Sequence, residues 1–308
     1  MSKYIVRRLL QMIPVIIGTT FIIFAMVFAL PGDPTAGKCG ERRCSEAFIA
    51  EFNEKYNLND PLPVQYVKYL GNVVQGDLGT NQYGVPVSED LAKRYKVTAQ
   101  LALMAIMVEI IIGISAGILA GIRKGRFVDN LVLVSTLVVI SIPIFVIGAL
   151  AQYFLGVRLG LFPVTVSSAA TTYELLLPAL VLGSLSVAYV ARLTRTNLVE
   201  NLRADYVRTA IAKGLSKKRA VGLHALRNSM IPVITFIGFD FGALLGGAIV
   251  TERIFNIQGI GGYIFRSIQL RDGVAVVGAV TALVIVFLFV NLIVDLLYGV
   301  LDPRISHD

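Results

Sequence analysis

The sequence predicts an all-α polytopic membrane protein with six transmembrane helices. Of its 308 residues, 56% are hydrophobic and only 16% are charged, and the mean hydropathy is +0.73. A soluble domain has about a quarter of its residues charged, so this composition indicates a membrane protein. Six apolar stretches reach the length of about 20 residues that crosses a bilayer. They are residues 9–30, 97–122, 131–156, 175–193, 231–250 and 274–300.

The first apolar stretch follows Lys3, Arg7 and Arg8, which is also the pattern of a secretory signal peptide. The stretch is longer than the apolar region of such a peptide, and no small-residue cleavage site precedes Pro31. We therefore expect an uncleaved first helix.

Lysine and arginine are unequally distributed among the loops. They are concentrated before the first stretch, in residues 122–130 and in residues 192–230, whereas the other long loops carry equal numbers of basic and acidic residues. Since cytoplasmic loops are enriched in lysine and arginine, both termini are predicted to be cytoplasmic. The predicted outer segments are residues 31–96, 157–174 and 251–273. This asymmetry explains the net charge of +8 without a nucleic-acid-binding surface.

Residues 31–39, PGDPTAGKC, nearly match the phosphate-binding loop G-x-x-x-x-G-K-[ST]. Cys39 occupies the position of the hydroxyl residue that binds Mg²⁺, and the stretch follows a membrane helix on the predicted outer side, away from ATP. Pro31, Gly32 and Pro34 are instead typical of a helix end. If ATP drives this protein, another subunit binds it.

The chain has two cysteines, Cys39 and Cys44, and both fall in the predicted outer loop as CGERRC. Thiol pairs outside the cytoplasm can stay oxidised, and the residues between them can form the turn that a local bridge needs. A disulfide is therefore predicted, with free thiols as the alternative. No histidine lies nearby in the sequence, which argues against a metal site.

The rest of the outer loop, residues 45–96, predicts two helices. One runs from about Ser45 to Tyr56 with Ser45 as its cap, and the other from about Pro63 to Val74. An ordered loop of this kind is either a solvated cap or a docking surface for an extracytoplasmic partner, and these residues leave both open.

The longest predicted cytoplasmic segment comprises residues 194–230. Helical spacing predicts one amphipathic helix there, with an apolar face whose side chains become smaller along the helix. Its members are Val199, Leu202, Tyr206, Ala210 and Gly214. Such a helix can lie on anionic lipid or dock into a cytoplasmic partner, and the pattern leaves both open.

Within this segment, DYVRTAIAKGLSKKRAVGLHALRNSMIP resembles the EAA loop of ABC importer permeases. Asp205 stands where that family usually has glutamate, whereas Ala210 and Gly214 match. Three further stretches resemble the dipeptide and oligopeptide branch: YIVRRLLQMIPVIIG leading to LPGDP, GDLGT at residues 76–80, and TERIFNIQGIGG at residues 251–262. With LDPRI at the end, the resemblance covers essentially the whole chain.

This resemblance implies a permease subunit of an ATP-driven importer for dipeptides or oligopeptides in a bacterial-type inner membrane. The implied partners are a second homologous permease subunit, two cytoplasmic ATPases that bind ATP and Mg²⁺, an extracytoplasmic peptide-binding protein or lipoprotein, and membrane lipid. No enzyme activity, cofactor, metal or nucleic acid is implied for this chain itself.

In that family, a cytoplasmic coupling helix within the EAA loop sits in a groove on the ATPase and transmits its closure. The coupling positions carried over by the resemblance are Asp205, Tyr206, Val207, Arg208, Thr209, Ala210, Ala212, Lys213 and Gly214, and Leu202 joins them from the predicted apolar face.

Three acidic residues, Glu109, Asp240 and Asp295, fall inside predicted membrane helices. A charge that faces lipid is expensive, so each is expected to face protein or a water-filled path. They are candidates for substrate contact, with a structural hydrogen bond or ion pair as the alternative. His224 and His307 have no Cys or carboxylate grouping for a metal site, and no nucleophile motif occurs, so no catalytic residue is predicted.

An ATP-independent secondary transporter or channel is the alternative function. Inverted repeats would support it, but residues 1–156 and 157–308 have no convincing similarity. A membrane assembly or receptor protein would not need acids in three membrane helices. The sequence does not identify the cargo, because relatives of this type carry dipeptides, longer peptides, glutathione or nickel chelates.

Overall fold

The computed structural model describes residues 2–29, 35, 38–39 and 44–301. The chain divides into two compact units, Met1–Thr98 with Gln258–Asp308 and Ala99–Ile257, and each is considered by itself. The predicted helix end at Pro31, Gly32 and Pro34 lies outside the described residues, as does His307.

Regular structure in the described residues is helical, apart from one isolated bridge between Thr80 and Pro86. In chain order the α-helices are α1 (Ser2–Phe28), α2 (Glu46–Lys55), α3 (Leu62–Val74), α4 (Val87–Val108), α5 (Ser115–Ile122), α6 (Phe127–Ser141), α7 (Ile144–Ala151), α8 (Thr172–Asn201), α9 (Asp205–Ala212), α10 (Lys217–Ala220), α11 (Arg227–Ile254), α12 (Ile260–Gln269) and α13 (Gly273–Leu301). Three stretches have the wider π-helical turn: Glu109–Ile114 links α4 to α5, Gln152–Arg158 extends α7, and Val221–Leu226 links α10 to α11.

Five helical stretches in the described part of the chain are long and apolar enough to cross a membrane, or six if one bent pair counts as a single span. The five are Val6–Phe28, Val87–Ile122, Thr172–Asn201, Lys217–Gly246 and Gly273–Leu296. The bent pair is Phe127–Ser141 with Ile144–Arg158. The predicted all-α polytopic membrane fold is therefore confirmed.

The third predicted stretch, residues 131–156, is bent rather than straight. Its two halves meet at an angle of 105°. Pro143 cannot continue a helix, and Ile142 before it has an extended backbone, as the residue before a proline usually has.

Both helices predicted in the long first loop are present. α2 follows Ser45, whose hydroxyl oxygen accepts from the N–H of Phe48 at 3.3 Å, so Ser45 is the cap that the sequence predicts. α3 begins at Leu62, close to the predicted start. The loop therefore contains ordered secondary structure.

Two tyrosine hydroxyls tie α3 to the membrane helices α1 and α13. The Tyr66 hydroxyl is 2.8 Å from Thr20 Oγ1 and donates to the carbonyl of Ile17 at 2.8 Å. The Tyr69 hydroxyl donates to Thr281 Oγ1 at 2.8 Å. Burial raises the pKa of Tyr69 to about 12, so this hydroxyl remains a donor at physiological pH. The first loop is therefore an integral part of the first unit.

In the second unit, the helix that contains residues 99–122 packs along α8 through small residues. Gly113, Gly117 and Gly121 recur every four residues, and a Cβ added to any of them would come within 3.0 Å of an α8 side chain. Gly183 of α8 lies equally close to the facing helix, because a Cβ added to it would be 3.0 Å from the carbonyl oxygen of Ala105. Glycine lets two backbones approach more closely than any other residue permits.

We expect Gly117→Ala to destabilise the fold. The added Cβ would lie 2.5 Å from Thr194 Cβ and 2.6 Å from the carbonyl oxygen of Ala191, and overpacking of this kind typically costs about 1–3 kcal/mol. Thermal unfolding of the detergent-solubilised protein should show a lower midpoint. The matched control is Gly18→Ala in the membrane helix α1, where an added Cβ meets no described atom within 4 Å. Equal midpoints for the two variants would contradict this packing.

Candidate functional site

The segment predicted to couple the chain to an ATPase, residues 202–214, folds as a turn, the short helix α9 and a second turn. Val207 is its buried residue, with 2% of its surface exposed, and it packs with Leu198, Ala220 and Ala225. These three residues belong to α8, to α10 and to the π-helical stretch before α11. One buried side chain thus ties α9 to α8 and to the continuous helical stretch Lys217–Gly246, both in the second unit.

The rest of α9 and its last turn face outward. The side chains of Asp205 and Arg208 are 95% and 73% exposed and lie 3.5 Å apart. The exposed residues of this segment are Arg203, Asp205, Tyr206, Arg208, Thr209, Ile211, Ala212, Lys213 and Gly214. Most of the predicted coupling positions are therefore accessible on one short helix, and Ala210 is partly buried.

The predicted continuous apolar face is wrong, because the chain turns after α8 ends at Asn201. Val199 precedes this turn and Leu202 begins it, whereas Tyr206 follows it. Leu202 still contributes to the segment, because it packs partly buried against the cluster around Val207.

Side-chain hydrogen bonds fix the geometry of this turn. The Tyr206 hydroxyl donates to Asn201 Oδ1, and Asn201 Nδ2 donates to Ser229 Oγ at 3.1 Å. Ser229 lies near the start of α11. The end of α8, the start of α9 and the start of α11 are therefore joined by hydrogen bonds as well as by Val207.

Gly214 lies just after the end of α9 and packs against no described residue. Its φ is +92°, in the left-handed region. Its N–H donates to the carbonyl of Ile211 at 2.9 Å, and the N–H of Leu215 donates to the carbonyl of Ala210 at 3.1 Å, which is the hydrogen-bond pair of a Schellman cap. No described atom lies within 4 Å of a Cβ built on Gly214. This left-handed backbone requires glycine at the position, whether or not a partner contacts it.

Asp129 and Arg195 form a buried ion pair that sequence spacing does not reveal. Arg195 Nε and Nη2 donate to the two carboxylate oxygens of Asp129 at 2.9 and 2.7 Å, and the N–H of Gly125 donates to the same carboxylate at 2.8 Å. The Asp129 side chain is 1% exposed and that of Arg195 is 20% exposed. The pair fastens the start of α6 to α8, about one turn before Leu198. The one available signal was an isolated aspartate in a basic loop.

Two of the three predicted intramembrane acids come together in the second unit. Glu109 is fully buried at the start of a π-helical stretch, and Asp240 of α11 and Ser186 of α8 lie close by. Neither oxygen of Glu109, nor Oδ2 of Asp240, has a hydrogen-bond partner of normal geometry among the described residues. Buried polar groups are normally partnered, and π-helical turns recur at functional sites. This acidic pair is therefore a candidate ligand position.

Asp295 belongs to the first unit and has a partner of its own. It lies on α13, and Arg8 of α1 approaches its carboxylate to 3.4 Å. This ion pair is the structural alternative that the sequence left open for the intramembrane acids.

Lys38, in the stretch that nearly matches a phosphate-binding loop, makes two polar contacts within the chain. Its ammonium group is 2.9 Å from Asp272 Oδ1 and donates to the carbonyl of Thr80 at 3.0 Å. The two charged side chains are only 7% and 2% exposed. Cys39 beside it is joined to Cys44 by a disulfide. The lysine is thus occupied by a buried ion pair that anchors the first loop.

Comparison with known families gives these features a common context. The family described as binding-protein-dependent transport system inner membrane component matches residues 113–307, and the N-terminal part of such membrane components matches residues 1–102. The chain belongs to this family. The permease is therefore a multi-pass membrane subunit of an ABC importer, a transport protein rather than an enzyme. Membership of a binding-protein-dependent system implies a binding protein and an ATPase as partners.

Individual relatives match the permease along its whole length. It is 37% identical over 334 residues to the dipeptide transport system permease protein DppB of Alkalihalophilus pseudofirmus, with 100% of both chains covered. It is 37% identical over 337 residues to DppB of Escherichia coli K12, covering 100% of this chain and 99% of that one. It is 36% identical over 308 residues to the glutathione transport system permease protein GsiC of Salmonella typhimurium, with 100% of both chains covered.

Arg195→Gln should destabilise the permease strongly, because it leaves Asp129 buried without its cation. Breaking a buried pair from one side typically costs about 3–5 kcal/mol, and the double variant Asp129→Asn/Arg195→Gln should recover part of this loss. Thermal unfolding of the single and double variants measures the coupling. The matched control is Arg208→Gln at the exposed Asp205–Arg208 pair, which should cost less than about 1 kcal/mol. Equal losses at the two pairs would contradict the assignment.

Proposed function

We propose that this permease forms half of the translocation path of an ATP-driven importer for dipeptides or oligopeptides, and that α9 transmits the movement of an ATPase to the membrane helices. The names of the relatives support the cargo class, since they are permeases for dipeptides and for glutathione, which is itself a short peptide.

The coupling proposal rests on one observation: Val207 is buried in the protein, whereas most of α9 is exposed. Val207 inserts among residues of α8, α10 and the stretch before α11, while Asp205 and Arg208 are open to solvent. A partner that displaces α9 therefore pushes directly on α8 and on the π-helical stretch that continues into α11. Both of these helices contribute candidate membrane spans.

The exposed surface of α9 favours a protein partner over a lipid surface. A helix that lies on a bilayer directs its apolar side into the lipid and its basic side toward the head groups. In α9 the apolar anchor Val207 is buried in the protein, and an acidic residue, Asp205, lies beside Arg208 on the exposed side. A protein groove can complement both charges, whereas anionic lipid repels one of them.

We further propose that both termini and α9 are cytoplasmic and that the long first loop faces outside. The distribution of lysine and arginine supports this orientation, as does the Cys39–Cys44 disulfide, because such bonds persist outside the cytoplasm. The proposed complex contains a second homologous permease subunit, two ATPases that bind ATP and Mg²⁺, and an extracytoplasmic binding protein, in a bacterial-type inner membrane.

The acidic pair is proposed to contact the amino group of the passing peptide. Two carboxyl groups that are close together in a poorly solvated site repel each other when both are ionised. The ammonium group of a peptide supplies the charge that relieves this repulsion for Glu109 and Asp240. Asp295 is left out of this proposal, because Arg8 already faces it.

A cysteine introduced at Ala212 should cross-link to an ATPase subunit, with a yield that changes when nucleotide binds. Ala212 is exposed at the end of α9. The two natural cysteines are bonded to each other, so the new thiol is the reactive one. The measurement is the cross-linked band from purified importer treated with a short reagent that joins a thiol to a neighbouring amine.

Tyr83→Cys is the matched control, since Tyr83 is 74% exposed in the first loop. This variant should be labelled in intact cells by a membrane-impermeant reagent and should not cross-link to an ATPase. Outside labelling of Ala212→Cys would contradict the orientation. Normal uptake with no cross-link from any position of α9 would contradict the coupling role.

Asp240→Asn should reduce peptide uptake by about tenfold while leaving assembly with the ATPases intact, because one charge contact of about 1.4 kcal/mol is lost. Uptake of a dipeptide and of its N-acetylated form into proteoliposomes tests the chemistry: the wild type should prefer the free amine, and the variant should lose that preference. Asp295→Asn is the control acid, with its own partner Arg8, and should keep the preference. Failed assembly of the Asp240 variant, or an unchanged preference, would favour a structural role.

A further inference from the structure

The first unit contains a polar cavity of about 340 Å³ between the end of the first loop, the start of α4 and α12. Asn81, Arg94, Tyr263, Arg266 and Ser267 are among its lining residues, and we name it the Arg94–Arg266 pocket. Its volume is that of a site for a small ligand or a side chain. It is distinct from α9 and from the acidic pair, which belong to the second unit.

Two guanidinium groups line this pocket, and neither has a carboxylate partner among the described residues. Arg94 lies over the ring of Tyr263, 4.9 Å from its centroid, and Arg266 is exposed. Neither arginine takes part in an ion pair within the part of the chain that the structure describes. Guanidinium groups form short, strong hydrogen bonds with carboxylates, so the pocket has unused capacity for an anion.

The acidic residues of the pocket are already engaged. Asp272 is 2.9 Å from the Lys38 ammonium group and accepts from the N–H of Gln82 at 2.5 Å. Asp90 accepts from Asn81 Nδ2 at 2.9 Å. With Asp272 neutralised by its lysine, the two arginines of the lining outweigh Asp90, and the pocket carries a net positive charge.

The hydroxyl of Tyr263 adds a buried donor to the same pocket. Tyr263 is only 6% exposed. The side chain of Asn81 lies near its hydroxyl, but no hydrogen bond of normal geometry joins the hydroxyl to any described residue. Burial raises the pKa of Tyr263 to about 12, so the group is a neutral donor at physiological pH.

Exposed apolar surface surrounds these donors. Tyr83 and Leu270 also line the pocket and are 74% and 38% exposed. Tyrosine and arginine are the residue types that most often contribute large binding energies at protein interfaces. A positively charged pocket bordered by Tyr83 therefore has the composition of a docking site for a protein.

We propose that the Arg94–Arg266 pocket receives an acidic side chain of the binding protein. This rests on the proposed function, because the pocket must open on the outer side, where the binding protein docks. In the docked importer, both guanidinium groups and the Tyr263 hydroxyl donate to one aspartate or glutamate carboxylate. The carboxylate of the transported peptide has the same chemistry, but it would leave the exposed surface of Tyr83 and Leu270 uncovered.

The test measures the Kd of the purified binding protein for the complete importer in lipid nanodiscs. Arg266→Gln is the main variant, because removing the Arg266 guanidinium group leaves the stacking of Arg94 on Tyr263 intact. Its Kd should rise about tenfold, the effect of losing one charge-assisted contact of about 1.4 kcal/mol. The rise should shrink as salt is added, since salt screens exposed charges.

Lys93→Gln is the matched control, because it removes the same charge from an exposed residue that does not line the pocket. Its Kd should stay within about twofold of the wild type, as expected for an exposed surface charge. Tyr263→Phe removes only the buried hydroxyl and should raise the Kd by about three- to tenfold.

Equal Kd values for the wild type and Arg266→Gln would overturn the proposal. A normal Kd combined with reduced peptide uptake would also overturn it, because the pocket would then serve the peptide carboxylate. A wild-type importer that neither binds the binding protein nor takes up peptides would contradict the proposed function and the docking site with it. If the wild-type importer binds the binding protein and takes up peptides, and Arg266→Gln has the same Kd, only the docking site is contradicted.

Discussion

The second unit depends on the close approach of one membrane helix to α8. Lipid supplies no hydrophobic force that drives helices together, so direct van der Waals contact between small residues must do so. Gly113, Gly117 and Gly121 remove the side chains that would hold the two backbones apart. The contact fixes the second half of α8, because Gly117 faces Thr194 and Gly121 faces Leu198, with Arg195 between them. The ion pair with α6 and the anchor of α9 can be rigid only because their common support is fixed.

Features that depend on local sequence could be predicted. The membrane-spanning stretches follow from composition, and the cap at Ser45 follows from the residue type that precedes α2. The break between α8 and α9 could not be predicted, since no glycine or proline marks it and the contact from Asn201 to Ser229 closes it across 28 positions of the chain. Gly214 was recognisable from its motif and stays a predicted coupling position, whereas its left-handed backbone at the C-terminal cap of α9 could not be read from the sequence.

The candidate site likewise contains some features that could be predicted from the sequence and some that could not. The motif around α9 is local and was recognisable, whereas the Asp129–Arg195 pair joins residues 66 positions apart and could not be read from spacing. The glycine stripe did have a signal, the repeated G-x-x-x-G pattern of close helix packing. The charged groups differ in their partners. Lys38 and Arg195 neutralise buried aspartates, whereas no described residue gives the carboxylate of Glu109 a hydrogen bond of normal geometry.

The register of the glycine stripe explains why Glu109 is buried at all. Ala105, Glu109, Gly113, Gly117 and Gly121 are spaced by four residues, and all are buried. In a regular α-helix, positions four apart drift by about 40° around the axis at each step, so five of them would not stay on one face. The wider turn of the stretch from 109 to 114 rotates the following residues back. The glycines therefore continue to face α8, and Glu109, which begins the correcting turn, is held inside the protein near Asp240. The acidic pair and the close packing of α8 are thus two consequences of the same wide turn.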